Sequence, residues 1–342
     1  MTADFLDGSL ASRPIDLSGI ENALLDFLLL VEDDVIARLG LHKGTMKLVE
    51  TEEQTAILAA VVGEMMPEVA AGGSCANVMR MASLLGSRTT YSSAVGDDEN
   101  GDAFAAGLHE HGVRDRLARV AGATGTSLIL VSPDGQRTMN THLGVGREYR
   151  RQFVPREEIE ASKIFFTTGY VWDTPNQIEA IEHALEIARG AGVKVALDLA
   201  DPFAVERSRD VLERHLGLGI SVLFANTEEA KALTGIAGAR EAAGARAGRV
   251  GIAVVTDGGN GAFIGQGDRV LHVPAERVEV VDTTGAGDCF AAGFLHGLAV
   301  DLPLQTCGRL ATALAADTIT RLGVKVSDRA RQRAVELVSS AE

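Results

Sequence analysis

Asp288 follows directly on the turn Gly285-Ala286-Gly287, and these four residues have the types and spacing to do chemistry. Backbone N–H groups at a glycine turn that opens a helix are unpaired and sit at the positive end of the helix, which suits a phosphate. A carboxylate there repels a phosphate, so a site that only binds an anion gains nothing from it. It makes sense where a substrate hydroxyl must lose a proton beside the phosphoryl group it attacks, as in a kinase. Two plainer readings compete: a helix-start carboxylate favoured by the macrodipole, or a simple tight turn.

Three further clusters share this character. Gly72-Gly73 leads into a helix carrying Asn77 one turn in, where close backbone approach and an amide could read a sugar hydroxyl, or merely start a helix. Asn226 and Glu229 are three apart at a strand end and could act on one hydrated cation, Mg2+ needing few protein ligands, or could be an ordinary helix N-terminus. Thr256, Gly258 and Gly261 form a glycine-rich turn after another strand. No Gly-Lys-Ser/Thr occurs, which excludes a P-loop, and Phe290 stands where a dinucleotide fingerprint needs its third glycine.

The elements that must position these residues follow an apolar rhythm. Strands are expected at 164–167, 193–197, 222–225 and 252–255, with a helix at 177–189 whose Ile178, Ile181, Leu185 and Ala188 share a face. The β-branched run that begins at Val280-Val281 and ends in the Gly285 turn reads as a strand, with Phe290, Phe294 and Leu298 on one face of the helix beyond. Near-continuous apolar strands between amphipathic helices predict a parallel sheet covered on both faces, with ligands beyond the strand carboxyl ends. Short strands at 28–31, 46–49, 127–131 and 137–141, the last two flanking the turn Ser132-Pro133-Asp134-Gly135-Gln136, predict a small accessory sheet that serves as a water-excluding lid. The large domain is expected from 1–21, 51–123 and 146–342, and the lid from 22–50 and 124–145.

Composition bounds the partners. The 342 residues are 46% apolar with a formal charge of −15, which argues against nucleic acid and anionic membranes, so a phosphate must be held by local donors. Cys75, Cys289 and Cys307 have no metal-ligand spacing and read as buried thiols of a reducing compartment. The acidic N-terminal segment Met1 to Asp7 lacks a signal peptide's basic region, and the longest apolar stretch near it, 24–31, is too short to span a bilayer. A cytoplasmic protein is expected.

Taken in order, Gly72-Gly73 with Asn77, Asn226-x-x-Glu229, Thr256-x-Gly258-x-x-Gly261 and Asp282-Thr283-Thr284-Gly285-Ala286-Gly287-Asp288 resemble the ribokinase-like (PfkB) carbohydrate and nucleoside kinases, from about residue 17 to 325. Within that family the chain is most similar to the adenosine kinases. Asn22-Ala23-Leu24-Leu25-Asp26 resembles their Asn-Pro-Leu-Leu-Asp segment, whose Asp holds ribose hydroxyls, and the segments 199–203 and 224–226 also look closer to them. Glu21 stands where many members have Gly, and Ala23 replaces the Pro, which leaves nucleoside and sugar both open.

The resemblance implies an α/β ribokinase-like fold, a central mostly parallel sheet flanked by helices on both faces with a small β-sheet lid. It implies ATP and Mg2+ as cofactors, with K+ a further candidate, and a monomer or homodimer. Asp288 would be the base, and Gly285, Ala286 and Gly287 would donate N–H groups to the γ-phosphoryl oxygens. Asn226 and Glu229 would position Mg2+, through water, and the phosphates. Thr256, Gly258 and Gly261 would line the ATP site; Asp26, Gly72, Gly73 and Asn77 would hold the acceptor; lid Arg137 would reach the phosphates. The expected reaction is transfer of the γ-phosphoryl group to a nucleoside's primary hydroxyl, adenosine to AMP. The alternatives are a sugar kinase acting on ribose, fructose or 2-keto-3-deoxygluconate, and a non-catalytic nucleotide or sugar sensor. An acidic acceptor would need a cationic anchor, for which Arg137, Arg147 and Arg150 are candidates. Adenine would need an apolar slot, for which Tyr170, Trp172 and Phe203 are candidates.

Overall fold

The computed structural model describes residues 5–61 and 66–339; Met1 to Asp4, the head of the acidic N-terminal segment, lie outside them. In chain order the strands are β1 (Ile15–Ile20), β2 (Leu24–Leu30), β3 (Met46–Leu48), β4 (Glu68–Gly72), β5 (Thr89–Gly96), β6 (Arg114–Val120), β7 (Gly125–Val131), β8 (Arg137–His142), β9 (Ser162–Thr168), β10 (Lys194–Asp198), β11 (Val222–Asn226), β12 (Ile252–Thr256), β13 (Ala262–Gln266) and β14 (Arg269–Val273). Among the described residues they form two sheets, ordered β14-β13-β12-β11-β10-β9-β1-β5-β6 and β3-β8-β7-β2-β4. In the larger, every pair from β12 to β6 is parallel, and β13 and β14 close one edge antiparallel.

Both faces of the large sheet are buried, which is why its strands read as unbroken apolar runs. Side chains alternate between faces along a strand. Ile164 and Phe166, Val222 and Phe224, and Ile252 and Val254 enter one core, beneath helices Ser74–Leu84, Ala286–Ala299 and Leu304–Thr318. Phe165, Leu223, Ala225, Ala253 and Val255 enter the other, beneath Pro175–Gly190, Arg209–Leu216, Thr227–Thr234 and Ala239–Ala247. The helix expected at 177–189 is present. The three cysteines are buried and unpaired.

The smaller sheet has one face covered by the helix Thr51–Val61, through Ile57 and Val61 against Leu128 and Leu130. Its other face, with Asp26, Ile129, Arg137, Met139 and Thr141, roofs a cavity above the large sheet. Both the helix and β4 follow residue 50, so the segment placed with the large domain contributes to the small sheet as far as Gly72. The β4 pairing with β2 is antiparallel, and 24–30 was too short a run to reveal a partner more than forty residues on.

One expected strand is absent. Among the described residues, 274–283 form no strand, and Val278, Val280 and Val281 are exposed. The Val281 N–H donates to the Ile319 carbonyl at 2.8 Å. Nearby, the Gly135 carbonyl at the β7–β8 hairpin tip accepts from the Thr283 hydroxyl at 3.2 Å. The run is a landing place for the hairpin, and β-branched composition alone does not distinguish that from a buried strand.

Candidate active site

The helix Ala286–Ala299 begins at Gly285, whose φ of 68° is left-handed. Asp282, fully buried, fixes the turn: its carboxylate accepts from the Thr284 N–H at 2.8 Å, the Thr284 hydroxyl at 2.5 Å and the Gly323 N–H at 2.8 Å. Gly287 has open space where a side chain would stand. The Ala286 N–H donates to the Thr283 carbonyl at 3.3 Å, and Gly287 and Asp288 follow it along the cavity wall.

Asp288 is held from both sides by the second glycine cluster. Its Oδ1 accepts from the Ser74 hydroxyl at 2.6 Å and its Oδ2 from Asn77 Nδ2 at 2.9 Å. Asp288 and Asn77 are 211 residues apart in sequence, and the pairing of the helices Ser74–Leu84 and Ala286–Ala299 brings them together. Burial pushes the Asp288 carboxyl above its ordinary range, while these two bonds and the Arg137 charge pull it back.

Asp26, Gly73, Asn77, Arg137, Asn226, Thr256, Glu229 and the turn 285–288 all line this one cavity of about 260 Å³. Gly72, Gly258 and Gly261 do not. At Gly72 a side chain would overlap the Asp26 carboxylate, so the absent Cβ makes room for that residue rather than for a ligand. Gly258 and Gly261 belong to the short turn beyond β12, and a side chain at Gly261 would meet the Val273 carbonyl.

Asn226 and Glu229 form the helix N-terminus, the plainer of their two readings. Asn226 Oδ1 accepts from the Glu229 N–H at 2.9 Å, and Glu229 Oε2 accepts from the Asn226 N–H at 2.8 Å, a reciprocal capping box. Glu229 is nonetheless buried in the cavity wall, and burial, with the charges of Asp198 and Asp201, pushes it up to about 8. Among the described residues no three His, Cys, Asp or Glu are close enough to cage a metal. The oxygens of Glu229 and Asn226 are hard ligands of the kind that Mg2+ takes in small number beside water and phosphate.

Sequence reading missed Ser74, Glu21 and Asp198 as site residues. Glu21 is 4% exposed, accepts from the Cys75 N–H at 2.5 Å, and is pushed up to about 8 by burial and the nearby Asp288 and Asp198 charges. Asp26 and Asp198 reach about 7, again through burial first. Glu21 and Asp198 stand at or just past the carboxyl ends of β1 and β10, where the strand-end rule points. Of the aromatic candidates, Tyr170 and Phe203 line the cavity; Trp172 is buried outside it, stacked on His215. Arg147 is paired with Asp173 and Arg150 with Glu148, both away from the cavity.

This acidic wall has a measurable consequence. A carboxyl with a higher pKa folded than unfolded binds more protons in the native state, so stability falls as pH rises between the two values. Glu21 and Glu229, at about 8, place that fall up to pH 8. Opposing groups act lower: His296 is held down at about 4, and Asp16 and Asp134 at about 2. The Tm of the ligand-free protein is expected to drop by about 2 °C or more from pH 7 to 8, and Glu229→Gln to flatten the drop. Calorimetry showing a flat or rising Tm would mean these groups are already ionised in the native state.

Comparison with known proteins gives the same frame. The model of the pfkB family carbohydrate kinases matches residues 45–331. A nucleoside kinase of Methanothermobacter thermautotrophicus is 30% identical over 264 residues, 75% of this chain and 80% of that protein. The crystal structure of a probable sugar kinase protein from Rhizobium etli superposes with a TM-score of 0.89 at 32% identity, covering 95% of this chain and 98% of that one. The adenosine kinase from Sinorhizobium meliloti gives 0.88 at 32% identity, with 94% and 99% covered. With a family match over most of its length and the ribokinase-like architecture of those structures, the chain belongs to the pfkB family of carbohydrate kinases and is a phosphotransferase acting on an alcohol group.

Proposed function

We propose that this kinase transfers the γ-phosphoryl group of ATP to the primary hydroxyl of a nucleoside, converting adenosine to AMP. The observation that carries the reading is the Asp288 carboxyl, pinned by Ser74 and Asn77 in the first turn of its own helix, in a cavity that also holds Asp26 and the aromatic side chains of Tyr170, Phe203, Phe224 and Phe290. The acceptor hydroxyl would rest on Asp288, which takes its proton. Asp26, Gly73 and Asn77 would hold the remaining hydroxyls. Tyr170 and Phe203 would flank an apolar base, as a free sugar would not require. Gly285, Ala286 and Gly287 would receive the developing charge on the phosphoryl oxygens, with Arg137 reaching down from the small sheet. Glu229 and Asn226 would hold Mg2+, which when bound neutralises phosphate charge. Thr256 would contact the nucleotide.

The balance of charge in the cavity supports a neutral acceptor. Glu21, Asp26, Asp198, Asp201, Glu229 and Asp288 line it against Arg137 and Arg207, and Arg207 is already paired with Asp173 at 3.1 Å. A carboxylate-bearing acceptor such as 2-keto-3-deoxygluconate would have only Arg137 left to pair with, the residue read as reaching the phosphates. The test is ADP release from Mg-ATP with adenosine, other nucleosides, ribose, fructose and 2-keto-3-deoxygluconate in turn. Turnover on adenosine at micromolar concentration is the expected result. Turnover on a free sugar alone would move the substrate and keep the chemistry. ATP binding without turnover on any acceptor would favour a sensor.

A further inference from the structure

We propose that Arg80 is a positioning residue for phosphoryl transfer, acting through Asn77 to aim the amide that holds Asp288. The proposal rests on the reading of Asp288 as the base. Arg80 lies one turn beyond Asn77 on the helix Ser74–Leu84 and is 6% exposed. It does not line the cavity, so it touches neither nucleotide nor acceptor. Its Nη1 donates to Asn77 Oδ1 at 3.2 Å and to the Ala71 carbonyl at 2.5 Å.

An Asn side chain has two ends of opposite character, and only one orientation serves here. Oδ1 faces the Arg80 guanidinium while Nδ2 donates to Asp288 Oδ2. Turned over, the amide would set its N–H groups against a cation and its carbonyl against a carboxylate, losing two bonds to charged groups and gaining two repulsions. The guanidinium thus selects the orientation that leaves Asp288 correctly aimed. Burying it costs free energy that a purely structural residue need not incur, and a single carboxylate, Asp26, is the main charge opposite it. Ala71 lies on β4 and Asp26 on β2, so one side chain ties the base's amide to the sheet that roofs the cavity.

The experiment is a double-mutant cycle on the full chain, read as kcat and as KM for ATP with the best acceptor of the panel. Arg80→Met is expected to lower kcat about tenfold, with KM for ATP within about twofold, and Arg80→Lys, which keeps a buried donor and charge, to recover most of the loss. In the Asn77→Ala background Arg80→Met should cost less than about twofold more, because the amide it aims is gone. Equal, multiplying losses in both backgrounds would overturn the proposal and make Arg80 a fold-stabilising residue only. If Arg80→Met does not fold, Arg80→Gln takes its place in the cycle, with the same non-additivity with Asn77→Ala expected and equal, multiplying losses again overturning the role. Asp288→Asn, run alongside, separates the two readings. Full activity there removes the base assignment and this proposal with it, whereas inactivity there with a multiplicative cycle sinks the Arg80 role alone.

Discussion

Asp288→Asn should lower turnover by about 10²-fold or more and leave ATP affinity nearly unchanged. The substitution keeps the shape of the side chain and alters its chemistry in two ways. It removes the lone pair that accepts the acceptor's proton. It also breaks the local bonding pattern, because Asp288 accepts from two donors, Ser74 and Asn77, and an amide can accept with only one of its ends. With that end accepting from Asn77, the N–H₂ would face the Ser74 hydroxyl, which would have to turn from donor to acceptor. Residual activity should persist, since in phosphoryl transfer positioning and electrostatics do much of the work and the base acts late. Burial also raises the wild-type carboxyl, so the acid limb of kcat/KM should sit above the ordinary aspartate range and disappear in the variant. Steady-state kinetics over pH, with ATP affinity by calorimetry, check both parts. Wild-type turnover in the variant would remove Asp288 from the chemistry.

What the sequence reveals about this molecule follows from which interactions are local. The strands at 164–167, 222–225 and 252–255 are legible because both faces are buried, leaving apolar runs with no polar register to confuse them. The Gly285 turn is legible because phosphate-type chemistry needs its glycines adjacent to the helix they open. Ser74 is not, because a serine beginning a helix is ordinary N-terminal chemistry, and only its approach to Asp288 gives it a further role. The same holds for Glu21 and Asp198, which become site residues only when sheet order brings the ends of β1 and β10 to one cavity. Gly72 is the reverse case. Its sequence neighbourhood suggests ligand contact, yet the β2–β4 register, with Asp26 opposite Ala70, spends its missing side chain on seating Asp26. A motif reading names a carboxylate and an amide that do meet in one cavity, together with a glycine, Gly72, that does not line it.

Gly285→Ala should damage both fold and activity, although it adds a single methyl group. At φ 68° the backbone is left-handed, and a Cβ there costs about 1–2 kcal/mol before any contact is made. The new methyl would also overlap the Val324 side chain, an overpacking that typically costs about 1–3 kcal/mol. The backbone can escape only by rotating the turn, and that moves the N–H groups of residues 286–288 together with Asp288. Loss of one such donor costs roughly 10²–10³-fold in turnover in sites of this kind, so kcat should fall about 10²-fold even where the variant folds. The two costs separate by experiment. Val324→Ala in the Gly285→Ala background should relieve most of the overlap and recover part of the lost Tm, but not the backbone strain and therefore little of the lost kcat. At Gly287, where open space stands in place of a neighbour, alanine should leave Tm nearly unchanged and impair nucleotide binding instead. Equal Tm losses at the two positions would mean that the turn owes its geometry to something other than the contact between Gly285 and Val324.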